Sequence, residues 1–243
     1  MAAQRTAARA PTKLAWPLCG LGLVLLVATL FVLLAGRPPA RPGGEAWQRQ
    51  AADLLGRAGA PLLGGLIAAR RPDNPYGWLW LAFGLSLAVA AFADAYAAVA
   101  LISSPAGLPG LALVVWLGGV GFTTALSIFP FLFLLFPTGR LPSPRWRPWA
   151  WAIVVVGALM LIAAALGSQT LADEVVNPLA VGGWLGAVLD RSLDLGFVGL
   201  FLATALSALT LLLRLRRARG AERQQLKVVQ LCRRPAGCVH PRG

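Results

Sequence analysis

Long apolar runs alternate with short polar gaps along the chain. Leu14 to Ala35 is almost unbroken in apolar character, and residues 77–102, 111–136, 148–166 and 195–213 form further runs. A helix needs about 20 such residues to cross the hydrocarbon core of a bilayer, so each run predicts a transmembrane helix. Residues 51–69, AADLLGRAGAPLLGGLIAA, are only moderately apolar and contain Asp53, Arg57 and Pro61. Hydropathy alone leaves that stretch open.

The basic residues decide it. Lys and Arg beside membrane helices favour the cytoplasmic side. If residues 51–69 cross, the inside segments carry Arg5, Arg9 and Lys13, then Arg70 and Arg71, then Arg140, Arg145 and Arg147, then the whole run from Arg214. The outside segments keep Arg37, Arg41, Arg49 and Arg191, and one of them contains the acidic pair Asp173-Glu174. If residues 51–69 do not cross, the arginine-rich turn and the basic tail both fall outside. The expectation is an all-α, multi-pass transmembrane helix bundle of about six spans with both termini cytoplasmic. The spans are expected near 14–35, 51–69, 77–102, 111–136, 148–166 and 195–213. Asp53 and Arg57, four residues apart, are placed to pair on one helix face.

The flanking segments follow. Residues 1–13 read as a cytoplasmic tail, and the first apolar run exceeds the roughly 7–15 residues of a cleavable signal core, so it reads as an uncleaved anchor. Residues 36–50 are a polar linker with Pro38, Pro39 and Pro42. Residues 214–230 continue the last span as a basic juxtamembrane helix, suited to anionic lipid headgroups. Residues 231–243, LCRRPAGCVHPRG, lack periodicity and are expected to be disordered.

Composition agrees with a membrane protein: 58% of residues are hydrophobic and 13% charged, against about 25% charged in soluble domains. The net charge of +13 raises nucleic acid as a partner. The basic residues lie beside apolar runs, however, and no folded basic face with base-stacking groups is visible. Nucleic acid is therefore not expected, and the lipid bilayer is the expected partner. Cys19, Cys232 and Cys238 match neither a disulfide framework nor a zinc spacing. The single histidine, His240, lies in the tail. No catalytic constellation, phosphate-cradling loop or metal motif is present, so the sequence assigns no catalytic, cofactor-binding or metal residue. The chain by itself is not expected to be an enzyme.

Two polar gaps carry motifs. In the first, Arg70-Arg71-Pro72-Asp73-Asn74-Pro75-Tyr76-Gly77-Trp78, Asn74 before Pro75 favours a turn and Trp78 anchors the next helix at the interface. In the second, LFPTGRLPSPRWRPWAW from Leu135 to Trp151, Pro137, Pro142, Pro144 and Pro148 stop a helix. There Gly139 makes a turn, Arg140, Arg145 and Arg147 resist crossing, and Trp146, Trp149 and Trp151 prefer the headgroup layer. Turn chemistry accounts for both gaps, with Asn74, Pro75, Gly77, Trp78, Pro137, Gly139, Arg140, Pro142, Arg145, Trp146 and Arg147 as turn residues or interface anchors. Ionisable residues at membrane depth mark ligand or ion sites by default. Asp94, with Tyr96 beside it, is thus a sensing candidate, tempered by its place near the end of a span, where snorkelling is cheap. Asp190, Arg191 and Asp194 precede the last apolar run.

Taken together, RRPDNPYGWLWLAFGLSLAVAAFADAYA, LFPTGRLPSPRWRPWAWA, Asn177-Pro178-Leu179 and LRRARGAERQQLK resemble the multi-pass amino-terminal region of a group of bacterial sensor histidine kinases. In that group the stretches run roughly R-P-x-N-P-I-G-W-L, L-F-P-[DT]-G-R-L-P-S-x-R-W-R-P and R-x-E-R-Q-Q-L-K-W, in this order. The likeness covers about residue 50 to Lys227. It implies a bacterial plasma-membrane protein, a homodimer, and a sensing or anchoring role in a two-component system. A response regulator is implied as partner only where a kinase domain is supplied. The pattern departs after Lys227, where Val228 stands in place of the usual Trp and CRRPAGCVHPRG replaces a further apolar run. A frameshifted or truncated reading frame is the expected cause. The competing expectations are a small transporter or permease-like subunit, which needs a polar path through the midplane, and a standalone membrane protein of another role. No span carries a central acid or a broken core with an inverted copy, which counts against transport.

Overall fold

The computed structural model describes residues 9–36, 47–103, 110–136, 138–167, 175 and 177–232, and among these there is no β-strand. The helices are α1 (Arg9–Gly36), α2 (Trp47–Arg70), α3 (Pro75–Ser103), α4 (Leu111–Leu134), α5 (Arg147–Leu166) and α6 (Gly183–Cys232), with a 3-10 turn at Pro144–Trp146 leading into α5. The stretches Leu14–Ala35, Pro75–Ala100, Leu111–Leu134, Pro144–Leu166 and Gly183–Arg216 are each long and apolar enough to cross a membrane. The chain is therefore a multi-pass helical membrane protein. Expectations for the first eight residues, the linker residues 37–46, Pro137, Asp173-Glu174 and the tail residues 233–243 with Cys238 and His240 concern residues outside the described set.

Burial follows the solvent that such a chain meets. Val24, Val27 and Phe31 of α1, Val155 and Ile162 of α5, and Phe201 and Leu202 of α6 are large, apolar and exposed, as a lipid-facing surface requires. The interior is built from small residues instead. α3 buries Ala88, Ala90, Ala91, Ala93, Ala95, Ala97 and Ala100, and it packs against α1, α2 and α4. Lipid offers little hydrophobic gain for helix association, so close backbone approach between small side chains drives it. An alanine-rich helix with three neighbours satisfies that condition.

The helices form two groups of three. α1, α2 and α3 pack mutually, as do α4, α5 and α6, and α3 against α4 joins the groups. The larger apolar core lies in the second group, around Leu134, Ile153, Met160 and Leu200.

α2 packs between α1 and α3 despite its modest hydropathy. Its fully buried Pro61 lies against Gly22 of α1 and Gly84 of α3. Gly64 meets the backbone of α3 at Trp80 and Leu81, and Gly65 meets Cys19 of α1. A Cβ on Gly64 would fall 2.8 Å from the Trp80 carbonyl carbon, so only glycine permits this approach. Ala68 packs with Ala15, Cys19 and Leu81, while Leu54 and Ala58 at the other end of α2 pack near Leu26 and Ala88. α2 is thus flanked by α1 and α3 along its length.

Candidate functional site at the junction of two turns

The two sequence motifs, separated by some sixty residues, meet in space. The turn between α2 and α3 is closed locally. Arg71 N–H donates to the Ile67 carbonyl at 2.8 Å and Asn74 N–H to the Arg71 carbonyl at 3.0 Å. Asn74 Oδ1 then accepts the Tyr76 N–H at 3.0 Å, capping the start of α3 behind Pro75, which has no N–H to satisfy. Trp78 Nε1–H donates to the Pro72 carbonyl at 3.1 Å, so the interface anchor also clasps the turn. Gly77 packs against the backbone of Ala68.

The turn after α4 docks on this structure. Gly139 adopts φ +71°, a left-handed conformation that costs other residues about 1–2 kcal/mol. It sits buried against the Asn74 side chain and the Pro75 ring. A Cβ there would overlap Asn74 Oδ1 and come within 3.0 Å of Pro75 Cδ. Conformation and space both call for glycine.

The last carbonyls of a helix lack partners within it, and at α4 the turn that follows and two other helices supply donors. Leu135 N–H reaches the Phe131 carbonyl at 2.9 Å, and Gly139 N–H reaches that of Leu135 at 2.8 Å. Tyr76 Oη–H of α3 donates to the Leu132 carbonyl at 3.3 Å. Arg214 Nη1–H of α6 donates to the Phe136 carbonyl at 3.1 Å, where a cation also suits the negative end of the helix dipole. An aromatic seam stiffens the junction: Tyr76 meets Phe136 edge-on at 5.9 Å and Trp80 at 6.4 Å, and Phe83 stacks on Phe129 at 5.6 Å.

Around this junction Arg70, Arg71, Arg140, Arg145, Arg147 and Arg216 are exposed. Pro142 is half-buried, and Trp146 packs against the core of the second helix group. The sequence motifs included Tyr76 but gave no sign of its reach to α4. Its place in the first turn of an apolar helix, as one of two tyrosines in the chain, was the available signal. By sequence Arg214 opens a basic helix; in the structure it also caps the end of α4.

At the opposite end, Asn177 performs a related task. It is 3% exposed, and its Nδ2–H₂ donates to the Ala165 carbonyl at 3.2 Å and the Gly167 carbonyl at 2.8 Å. Its Oδ1 accepts the Leu179 N–H at 2.9 Å. Trp116 Nε1–H of α4 shares the Ala165 carbonyl at 3.0 Å. The end of α5 is thus tied to the following loop and to α4. Asp190, Arg191 and Asp194 lie within α6, which begins at Gly183; Asp190 abuts Gly167.

Asp53 and Arg57 form an ion pair at 2.8 Å. Asp94, the sensing candidate, lies on α3 and is exposed. Tyr96 stacks on Phe92 at 6.1 Å. Compared with protein-family models, curated proteins and solved structures, the chain finds no match in any of the three.

Proposed function

We propose that this chain is the membrane-embedded sensing and anchoring region of a bacterial two-component sensor histidine kinase, a plasma-membrane bundle of six spans with both termini cytoplasmic. The observation that carries the reading is the contact of Gly139 with Asn74 and Pro75, joined by Arg214 on the Phe136 carbonyl. Two separate stretches of the resemblance meet there, and Arg214 stands immediately before a third. A sensor needs such a convergence, because displacement of α3 or α4 must reach the helix that leaves the membrane. α6 is that helix. It continues from Arg214 to Cys232, about 27 Å at 1.5 Å per residue.

The sixth span is supported by the position of α2 between α1 and α3. Its 24 residues extend about 36 Å, enough for a core of about 30 Å. The orientation is supported by the exposed arginines that share the junction's end. In α6 the uncharged run between Asp194 and Arg214 measures about 29 Å, a length matched to the same core.

Two experiments test the reading. Reporter fusions at Ser143 are expected to score cytoplasmic and fusions at Asn177 external; the reverse result overturns the orientation. Translating the downstream DNA in all frames is expected to reveal a phosphoacceptor helix pair and an ATP-binding domain. A stop codon followed by no kinase-like frame would count against the signalling role while leaving the fold intact.

A further inference from the structure

Five guanidinium groups surround the junction of the two turns. Arg70 and Arg71 lie at the turn between α2 and α3, and Arg140, Arg145 and Arg147 in the stretch between α4 and the start of α5, all of them exposed. Asp73 is the one carboxylate within these two segments, so five positive charges stand against one negative. Among the described residues none of the five side chains forms an ion pair or donates a hydrogen bond, not even to Asp73.

The contact between the turns brings two of these arginines together. Asn74 N–H is bonded to the Arg71 carbonyl at 3.0 Å, and Gly139 is seated on the Asn74 side chain. Arg140 follows Gly139, its Cα about 3.8 Å further along the chain. Arg71 and Arg140, distant in sequence, therefore leave the backbone on either side of one asparagine, with side chains long enough to converge on a shared anion.

The spans decide which anion that is. Apolar stretches begin at Pro75 and Pro144 and end at Leu134, so the two touching turns lie at one membrane surface, in the headgroup layer. Just inward of it Trp151, Val154 and Val155 of α5 are exposed and apolar, so acyl chains meet the protein there. The anion at hand in that layer is the phosphodiester of a phospholipid, and planar guanidinium groups engage phosphate through paired N–H donors. A zwitterionic headgroup also brings an ammonium that the surplus positive charge repels. An anionic headgroup brings none.

We propose that Arg71 and Arg140 together hold the phosphodiester of one anionic phospholipid from the leaflet at whose surface the two turns lie. The asparagine–glycine contact sets the spacing of the pair, and the neighbouring arginines add to the field without touching the phosphate. The proposal rests on the membrane reading and not on the signalling role, nor on which side of the membrane the turns face.

The test uses the purified full chain in mild detergent, offered equimolar phosphatidylglycerol and phosphatidylethanolamine with identical acyl chains, with bound lipid counted by native mass spectrometry. The expected result is one retained phosphatidylglycerol, favoured about fivefold for each of the two arginines. Arg71→Gln and Arg140→Gln are each expected to lower that preference about fivefold, and together to bring the two lipids close to parity. Arg147→Gln, at the same surface but outside the Asn74 contact, is expected to leave it nearly unchanged. All three side chains are exposed and unbonded, so the variants are expected to keep the wild-type unfolding midpoint. Equal retention of both lipids by the wild type overturns the proposal. So does an equal loss in Arg147→Gln, which marks diffuse attraction between a basic surface and anionic lipid. Displacement of the lipid by an equal concentration of inorganic phosphate would assign the arginines to a soluble anion and overturn the lipid as occupant. None of these outcomes bears on the search for a downstream kinase frame.

Discussion

Asn74 and Asn177 share one piece of local chemistry and put it to different use. Each precedes a proline, and each side-chain oxygen accepts the N–H two residues on, the hydrogen-bonded turn that Asn favours. Asn74 then becomes the floor on which Gly139 packs. Asn177 turns its amide onto the carbonyls that end α5. Replacing Asn177 by Ala removes the side-chain donor from the Gly167 carbonyl, while the Ala165 carbonyl keeps Trp116, and is expected to cost about 1–3 kcal/mol, read as a lowered midpoint of denaturant-induced unfolding in micelles. Gly139→Ala combines a left-handed backbone with an overlap on Asn74. It is expected to destabilise by at least about 1–2 kcal/mol and to lower the same midpoint. Tyr76→Phe removes one donor from the end of α4, and a smaller loss of about 0.5–1.5 kcal/mol is expected. The turn character of Asn74, Pro75 and Gly139 was readable from local sequence, since proline and asparagine preferences are local. Their mutual contact was not, because nothing in either segment encodes the other's position.

At the scale of the helix, α2 is the instructive case. Asp53, Arg57 and four glycines depress its hydropathy below that of its neighbours, and it falls outside the helices apolar enough to cross by composition. The same glycines explain its position. Gly64 and Gly65 let α2 approach α3 and α1 closely, and Pro61 fills the space left by Gly22 and Gly84. A helix shielded by two others needs less greasy surface than one that faces lipid on most sides. Gly84→Leu would drive a side chain into the Pro61 ring and is expected to displace α2. A cysteine at Ala60, buried in the native chain, should react slowly with a maleimide and gain reactivity in the Gly84→Leu background. Equal labelling in both backgrounds would contradict the close packing described here. The Asp53–Arg57 pair is legible from its spacing, whereas the burial of Pro61 between Gly22 and Gly84 requires the pairing of α2 with α1 and α3.

For the whole molecule, the two helix groups meet along α3 and α4, and residues 104–109 link these two helices in sequence. Gly118 of α4 packs against Ala93 of α3 closely enough that a Cβ would overlap it. Two fragments divided within residues 104–109 and expressed together are therefore expected to copurify. Gly118→Leu is expected to abolish copurification; persistence of the complex would show that another surface holds the halves together. The Tyr76 and Arg214 contacts tie the foot of α3 and the exit of α6 to the end of α4.

Sequence by itself determined the membrane character, the positions of the apolar helices and the turns that separate them. Each follows from local quantities: a run of apolar side chains long enough for a bilayer, a proline that breaks a helix, an arginine that stays in water. Tertiary structure alone decided that the two turn motifs share one junction, that Arg214 and Tyr76 complete the end of α4, and that the Asp53–Arg57 pair lies beside a groove between α2 and α3. Those arrangements depend on which glycine admits which neighbour. Close packing between helices is a property of pairs of surfaces, and a single strand of letters does not state its pairings.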